Sequence, residues 1–285
     1  MGTELQTLND ELDNMVAAFD TNDVETLMKA SGQASEGGDT PKMGLPRLTI
    51  NYDTETDDGL PLKRGAWRIW NGNAPVYADA VNIRPLMRTY EWSLWDAEER
   101  KFAAKSVQKP SMSGEFPDSV GGNKCGRLSR QEEEGLSSDD PRLLLSKSVA
   151  CNQVIYGILD APSATLADGT PSPIEGMAFV AYFKRSGFMP VRDFIENNLT
   201  RKKILMQKAV VEMSTEKHKK GSVLYWTPKL SLVKEVSITD EDKELMKKFA
   251  DTVRGHNESV MGEFKQATKA SVSNDDLDLS SRLAG

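Results

Sequence analysis

Cysteine and histidine are scarce, two of each in 285 residues. Cys125 and Cys151 are too few for a disulfide framework and point to a cytoplasmic setting. Cys125 lies in the glycine-rich run Gly121-Gly122-Asn123-Lys124-Cys125-Gly126, a context that zinc knuckles favour. A structural zinc site needs four ligands, however, and neither cysteine has a CxxC partner or a nearby histidine. Buried free thiols are the expectation, with no metal and no cofactor. Only His218 and His256 could serve as imidazole bases, and there is no phosphate loop, nucleophile elbow or HExxH. An enzyme is therefore not the first expectation. A metal-dependent nuclease stays open as the alternative, because its carboxylates come from scattered strands and leave no local motif. No apolar run approaches the roughly 18 residues that span a bilayer, so no membrane partner is expected. Met1-Gly2-Thr3-Glu4 lacks the basic and apolar regions of a secretory signal.

What is present is charge, unevenly placed. The chain carries a net charge of -7, yet from Lys184 to Lys234 Lys and Arg outnumber Asp and Glu by 12 to 4. A basic segment in an acidic chain, with aromatics beside it, suggests a surface for a polyanion. Residues 1–44 form the acidic counterpart. Leu5, Leu8, Leu12, Met15, Val16 and Phe19 recur at helical steps, and Ser31 to Thr40 reads as a flexible linker. An acidic helical arm is expected there.

From Leu45 the pattern turns to strands, and residues 45–238 are expected to form one β-domain. Arg47 to Tyr52 is a short β-rich run. Gly65 to Trp70 and Pro75 to Ala78 flank Asn71-Gly72-Asn73, a hairpin signal. Val81 to Trp95 turns at Asp96 to Glu99 and returns as Lys101 to Val107. Tight turns between successive strands imply an antiparallel meander. Ser111 to Pro141 reads as a loop excursion, and Leu143 to Leu159 as strand again. Ile204 to Met213 and Val223 to Val233 form a closing pair across the basic turn Lys217 to Ser222. A C-terminal helix is expected over 239–270, capped by Thr239 to Asp242, with Leu245, Met246, Phe249 and Val253 on one side. The expected fold class is α+β: an elaborated antiparallel β-barrel with an N-terminal helical arm and a C-terminal helix. Residues 271–285 are expected to be an acidic disordered tail.

Aromatics and cations interleave in the first strands. Trp67, Trp70, Tyr90, Trp92 and Trp95 lie near Arg64, Arg68 and Arg88. Trp67 and Trp70 have opposite parity, as do Trp92 and Trp95, so one ring of each pair should face solvent unless something covers it. Exposed rings beside cations suit single strands: bases stack at about 1–3 kcal/mol each while Lys and Arg follow the phosphates. Lys184, Arg185, Lys202, Lys203, Lys208, Lys217, Lys219 and Lys220, with Phe188 and Tyr225 among them, are expected to form a basic stripe. In the tail, Asp275, Asp276 and Asp278 alternate with Leu277 and Leu279, the pattern of a short docking motif.

The short strands, central excursion, basic hairpin and acidic tail together resemble single-stranded DNA-binding proteins of the OB-fold type, in particular those of bacteriophage replication. The resemblance covers about Leu45 to Val236 by architecture and Asn274 to Leu279 by tail character. It implies a protein that coats and protects single-stranded DNA in replication or recombination, with stacking at Trp67, Trp70, Trp92 and Trp95. It implies phosphate contacts at the lysines and arginines just named, and recruitment of replication or recombination proteins by the tail. Such barrels usually have about five strands, whereas seven or eight are counted here, and this tail runs on through Ser280 to Gly285. Self-association into a homo-oligomer is left open. A virion structural or interaction protein is the remaining alternative.

Overall fold

The computed structural model describes residues 44–70 and 74–283, with side chains as far as residue 268. The acidic arm expected over 1–44 lies, Gly44 apart, outside the described residues, as does the Asn71-Gly72-Asn73 turn. Among the described residues the chain is α+β, with nine strands in one sheet. The strands are β1 (Arg47–Ile50), β2 (Trp67–Trp70), β3 (Val76–Ala78), β4 (Val81–Asp96), β5 (Lys101–Lys105), β6 (Ala150–Ala161), β7 (Ile174–Lys184), β8 (Ala209–Lys220) and β9 (Val223–Glu235). The helices are α1 (Arg130–Glu133), α2 (Pro141–Ser148), α3 (Phe188–Phe194) and α4 (Asp240–Leu283). Helix α4 takes in 271–283, where the sequence suggested a disordered tail.

The strand order is β3-β2-β1-β7-β6-β4-β8-β9, with β5 on β4. β1 runs parallel to β7. The pairs β1–β2, β2–β3, β4–β5, β4–β8 and β8–β9 are antiparallel. This sheet is open and corrects the expected closed barrel. Closure needs the two end strands to pair in a common stagger. Here the end strands are β3 and β9, and they pair with β2 and β8 instead. β3 has only three residues. Its outer edge is taken by Thr165, whose backbone exchanges hydrogen bonds of 2.8 and 2.9 Å with Tyr77. The simple meander also stops at β3, because β4 follows it in sequence but lies between β6 and β8.

Two compact units divide the chain, with boundaries inside β4, β6 and α4. Unit I holds residues 44–88 and 153–249. Its core is apolar: Leu48, Trp67, Ile69, Ile155, Phe179 and Val211 are among the buried side chains. Each such side chain contributes about 1.5–3 kcal/mol when fully buried. Trp67 satisfies its indole by donating Nε1–H to the Met213 carbonyl at 2.9 Å. Gly157 is needed where β6 meets β4, since a Cβ there would stand 2.3 Å from the Arg84 carbonyl oxygen. Helix α3 buries Val191 and Phe194, and the wider turn that follows buries Ile195 and Leu199. α4 starts with the expected cap: Thr239 and Asp242 exchange backbone-to-side-chain hydrogen bonds of 2.8 and 3.2 Å. Asp242 is also ion-paired with Arg84.

Unit II holds residues 89–152 and 250–283, and its interior combines apolar side chains, Val107, Phe116, Val253 and Met261 among them, with a buried polar network. Buried Glu91 accepts from Gln108 Nε2 at 2.8 Å and Asn152 Nδ2 at 3.0 Å. Asn257 of α4 clasps the Gln108 backbone from both sides, accepting from its N–H at 2.6 Å and donating to its carbonyl at 2.9 Å. Strand was expected from Leu143, but α2 occupies Pro141–Ser148. Asp140 caps it, accepting from the Arg142 N–H at 2.9 Å, and Pro141 fills the first turn, where a missing N–H costs nothing. No helix among the described residues is long and apolar enough to cross a membrane.

Candidate nucleic-acid interface

The basic hairpin forms where a strand pair was expected, but its first strand begins at Ala209, not Ile204, and continues through Lys217–Lys220, which the sequence suggested as turn, so that it extends well past the sheet. β8 pairs with β4 only over Val211–Met213, whereas its register with β9 continues from Ala209↔Glu235 to Lys220↔Val223. Ser214 to Lys220 and their partners therefore form a two-stranded ribbon, roughly 23 Å long at about 3.3 Å per residue. Lys217, Lys219 and Lys220 are exposed on it. Tyr225 stacks on His218 at 5.2 Å between centroids, and His218 Nε2 lies 2.8 Å from Thr227 Oγ1.

At the root of the ribbon lies Trp226, which the sequence reading did not single out. It is buried against Gly65, which has φ +85° and where a Cβ would stand 2.2 Å from the indole Nε1. Glycine is required twice over, by the backbone angle and by the contact. Arg64 lies over the indole at 5.1 Å and Lys217 at 6.0 Å. Tyr52 meets it edge-on at 5.8 Å and donates its hydroxyl to the Trp226 carbonyl at 3.3 Å. The loop carrying Arg64 and Gly65 is held by buried Asn51, whose Nδ2 donates to the Asp53 and Lys63 carbonyls at 2.9 and 3.0 Å. Two cations on one ring of this kind are worth about 0.5–2 kcal/mol each, according to exposure.

Beside Trp226 the sheet opens. β1 and β7 pair only at Arg47↔Val180 and Leu48↔Ala181. Past those pairs a cleft of about 290 Å³ lies between Thr49–Tyr52 and Tyr182–Gly187, walled by Trp67, Trp226 and Pro228. Lys184 and Arg185 stand exposed at its rim. Arg47 lies over the Tyr182 ring at 5.4 Å. The cleft is thus aromatic inside and cationic outside.

A second concavity in unit I, about 870 Å³, has the opposite sign: Asp53, Glu55, Asp57, Asp58 and Asp168 line it with Arg68. Trp70 is 42% exposed but faces this hollow, with Arg68 5.9 Å from its ring and 3.5 Å from Asp53. Carboxylates repel phosphate, so an open ring here lacks the electrostatics of a strand-binding site.

The remaining expected residues are dispersed. Trp67 and Tyr90 are buried and closed to a base. Trp67 has inward parity on β2, which accounts for its burial, and its opposite-parity partner Trp70 is exposed, as alternation requires. Arg88 is half-buried in mid-β4. In unit II, Trp92 is half-buried, while Trp95 is 47% exposed after a register shift between Leu94 and Trp95. Lys202 and Lys203 sit in the turn before β8, and Lys208 pairs its carbonyl with the Val236 N–H at 2.8 Å. Lys208 therefore marks the opposite end of the hairpin from Lys220, so the expected continuous stripe is split. Phe188 begins α3 and is half-buried. Asp275, Asp276, Leu277, Asp278 and Leu279 fall within α4, beyond the described side chains.

The glycine-rich cysteine loop also has a role. Asp118 accepts from the N–H groups of Gly122 at 2.8 Å, Val120 at 3.2 Å and Cys125 at 2.7 Å. A Cβ on Gly122 would press on that carboxylate at 3.2 Å. Cys125 donates its thiol to the Trp92 carbonyl at 3.3 Å, and burial, then Asp118 and Glu91, push its pKa far up. Burial, with the Glu91 charge, pushes Cys151 up to about 12. The loop is a carboxylate-centred turn. No cluster of metal-ligating side chains occurs among the described residues. No protein-family model matches the chain, and no curated protein or solved structure matches it either.

Proposed function

We propose that the protein binds single-stranded DNA through the Trp226 cleft and the basic ribbon of unit I, and does so without chemistry of its own. The observation that carries this reading is the grouping of Arg64, Lys217 and Tyr52 around one clamped indole, beside a cleft rimmed by Lys184 and Arg185. Exposed Tyr52 and half-buried Tyr182 supply sequence-tolerant stacking beside the wall that buried Trp226 forms, and the cations neutralise phosphates. The biological role follows from that chemistry: coating and protecting exposed strands in the cytoplasm during replication or recombination. The acidic stretch from Asp275 to Leu279 would engage partner proteins.

Titrating the protein with oligo-dT tests the reading. Tryptophan fluorescence should quench, and log affinity should fall with log salt at about 0.7 per phosphate neutralised. Unchanged fluorescence together with no gel shift at low salt would remove the proposal. Labelled single strands incubated with Mg²⁺ or Mn²⁺ should stay intact, and their cleavage would favour the nuclease alternative. Deleting residues 274–285 should leave DNA affinity equal or higher while partner capture falls.

A further inference from the structure

We infer that the cleft between β1 and β7 seats one nucleobase lifted out of the strand's stack, so that the protein also binds a free mononucleotide. This rests on the proposed single-strand binding and narrows it to a one-base pocket.

Size is the first argument. At about 290 Å³ the cleft is at the small end of ligand pockets, which run from about 300 to 1,000 Å³. It has room for a base and its sugar but not for a run of stacked bases. Shape is the second. The cleft exists because the β1–β7 ladder stops after Leu48↔Ala181, so its walls are two diverging strands and not a flat sheet face. A flat face would receive consecutive bases, whereas a slot receives one.

The wall chemistry suits a planar, π-rich group. Tyr52, Tyr182 and Trp226 line the slot, with Lys184 and Arg185 where a phosphate attached to the seated base would emerge. The Trp226 wall is also rigid before any ligand arrives. Gly65 backs it, Arg64 and Lys217 flank it, and the Tyr52 hydroxyl holds its carbonyl. Such pre-organisation removes the ordering penalty that a small ligand, with few contacts, could not otherwise overcome.

The test uses the full chain and four probes: dTMP, thymidine, ribose 5-phosphate and inorganic phosphate. Binding is read by tryptophan fluorescence and by displacement of fluorescein-labelled oligo-dT. The expected result is saturable binding of dTMP, with ribose 5-phosphate and phosphate about tenfold or more weaker. Thymidine should bind between them. Gly65→Ala, which displaces Trp226, should weaken dTMP binding about tenfold or more. Tyr182→Ala, which leaves that clamp intact, should do the same, and covers the case in which Gly65→Ala misfolds. Equal binding of dTMP and ribose 5-phosphate, with oligo-dT still bound, overturns the one-base pocket and leaves strand binding standing. Binding of neither dTMP nor oligo-dT overturns both. Binding of dTMP without oligo-dT supports the pocket and removes the strand.

Discussion

The two units differ in how much polar structure they bury beside their apolar side chains. Unit I excludes water with branched and aromatic side chains around Trp67 and Phe179. Unit II buries apolar residues such as Phe116 and Met261 and adds to them Glu91, Gln108, Asp118, Asn152 and Asn257, paired with one another or with backbone. An apolar core tolerates small losses of volume, whereas a satisfied polar network fails when one member is removed and its partners are left buried without a bond. The same difference explains where binding can sit. Unit I has an apolar core beneath the cleft where Arg64 and Lys217 meet the Trp226 indole. Unit II spends its polar groups on holding itself together.

The largest expected effects test this contrast directly. Trp67→Ala should destabilise unit I by about 3–5 kcal/mol, the range for removing a buried aromatic, read by urea unfolding. Asp118→Ala should destabilise unit II by about 3 kcal/mol, because it strands the N–H groups of Gly122, Val120 and Cys125. If Asp118→Ala proved neutral, the polar interior would not be what holds that unit. Gly65→Ala comes next, at about 1–3 kcal/mol for overpacking against Trp226. Trp95→Ala, which removes a half-exposed ring and its edge-on contact with Phe102 at 5.0 Å, should cost about 0.5–1.5 kcal/mol.

The pH prediction separates folded from unfolded thiols. Cys151 is pushed up to about 12 by burial, from a reference near 9.0. A pKa raised on folding gives stability that is complete below pH 9 and is lost as pH climbs toward 12. Cys151→Ser should therefore flatten the alkaline decline in stability between those values, read by thermal unfolding. At pH 8 the native thiols should react slowly with maleimide, and quickly once urea has unfolded the chain.

Much of the local structure was legible in the residues. Thr239 to Asp242 signalled the α4 cap, alternation signalled a strand pair near β8 and β9, and the opposite parity of Trp67 and Trp70 required one of the two to be exposed without saying which. Helix α2 carries its own signal in the cap Asp140-Pro141, but Leu143 to Leu145 continue into the β-rich run that follows and so resemble strand. The site was harder to see. Trp226 looks like any inward strand residue, and nothing local marks Gly65 as its seat, since 161 positions separate them. Arg68 and Trp70 looked favourable beside each other, but the carboxylates of Asp53 to Asp58 and Asp168, brought in by other loops, reverse the sign of their surroundings.

By itself the sequence determined the α+β class, most of the strands, the cap of α4, and the basic segment within an acidic chain. These follow from periodicity, local hydrogen bonding and composition, which act over a few residues. Tertiary structure alone decided that β1 leaves β7 after two pairs, that the sheet stays open, and which cations share a ring. Those outcomes depend on long-range strand pairing and packing, where each choice is set by residues far away in the chain.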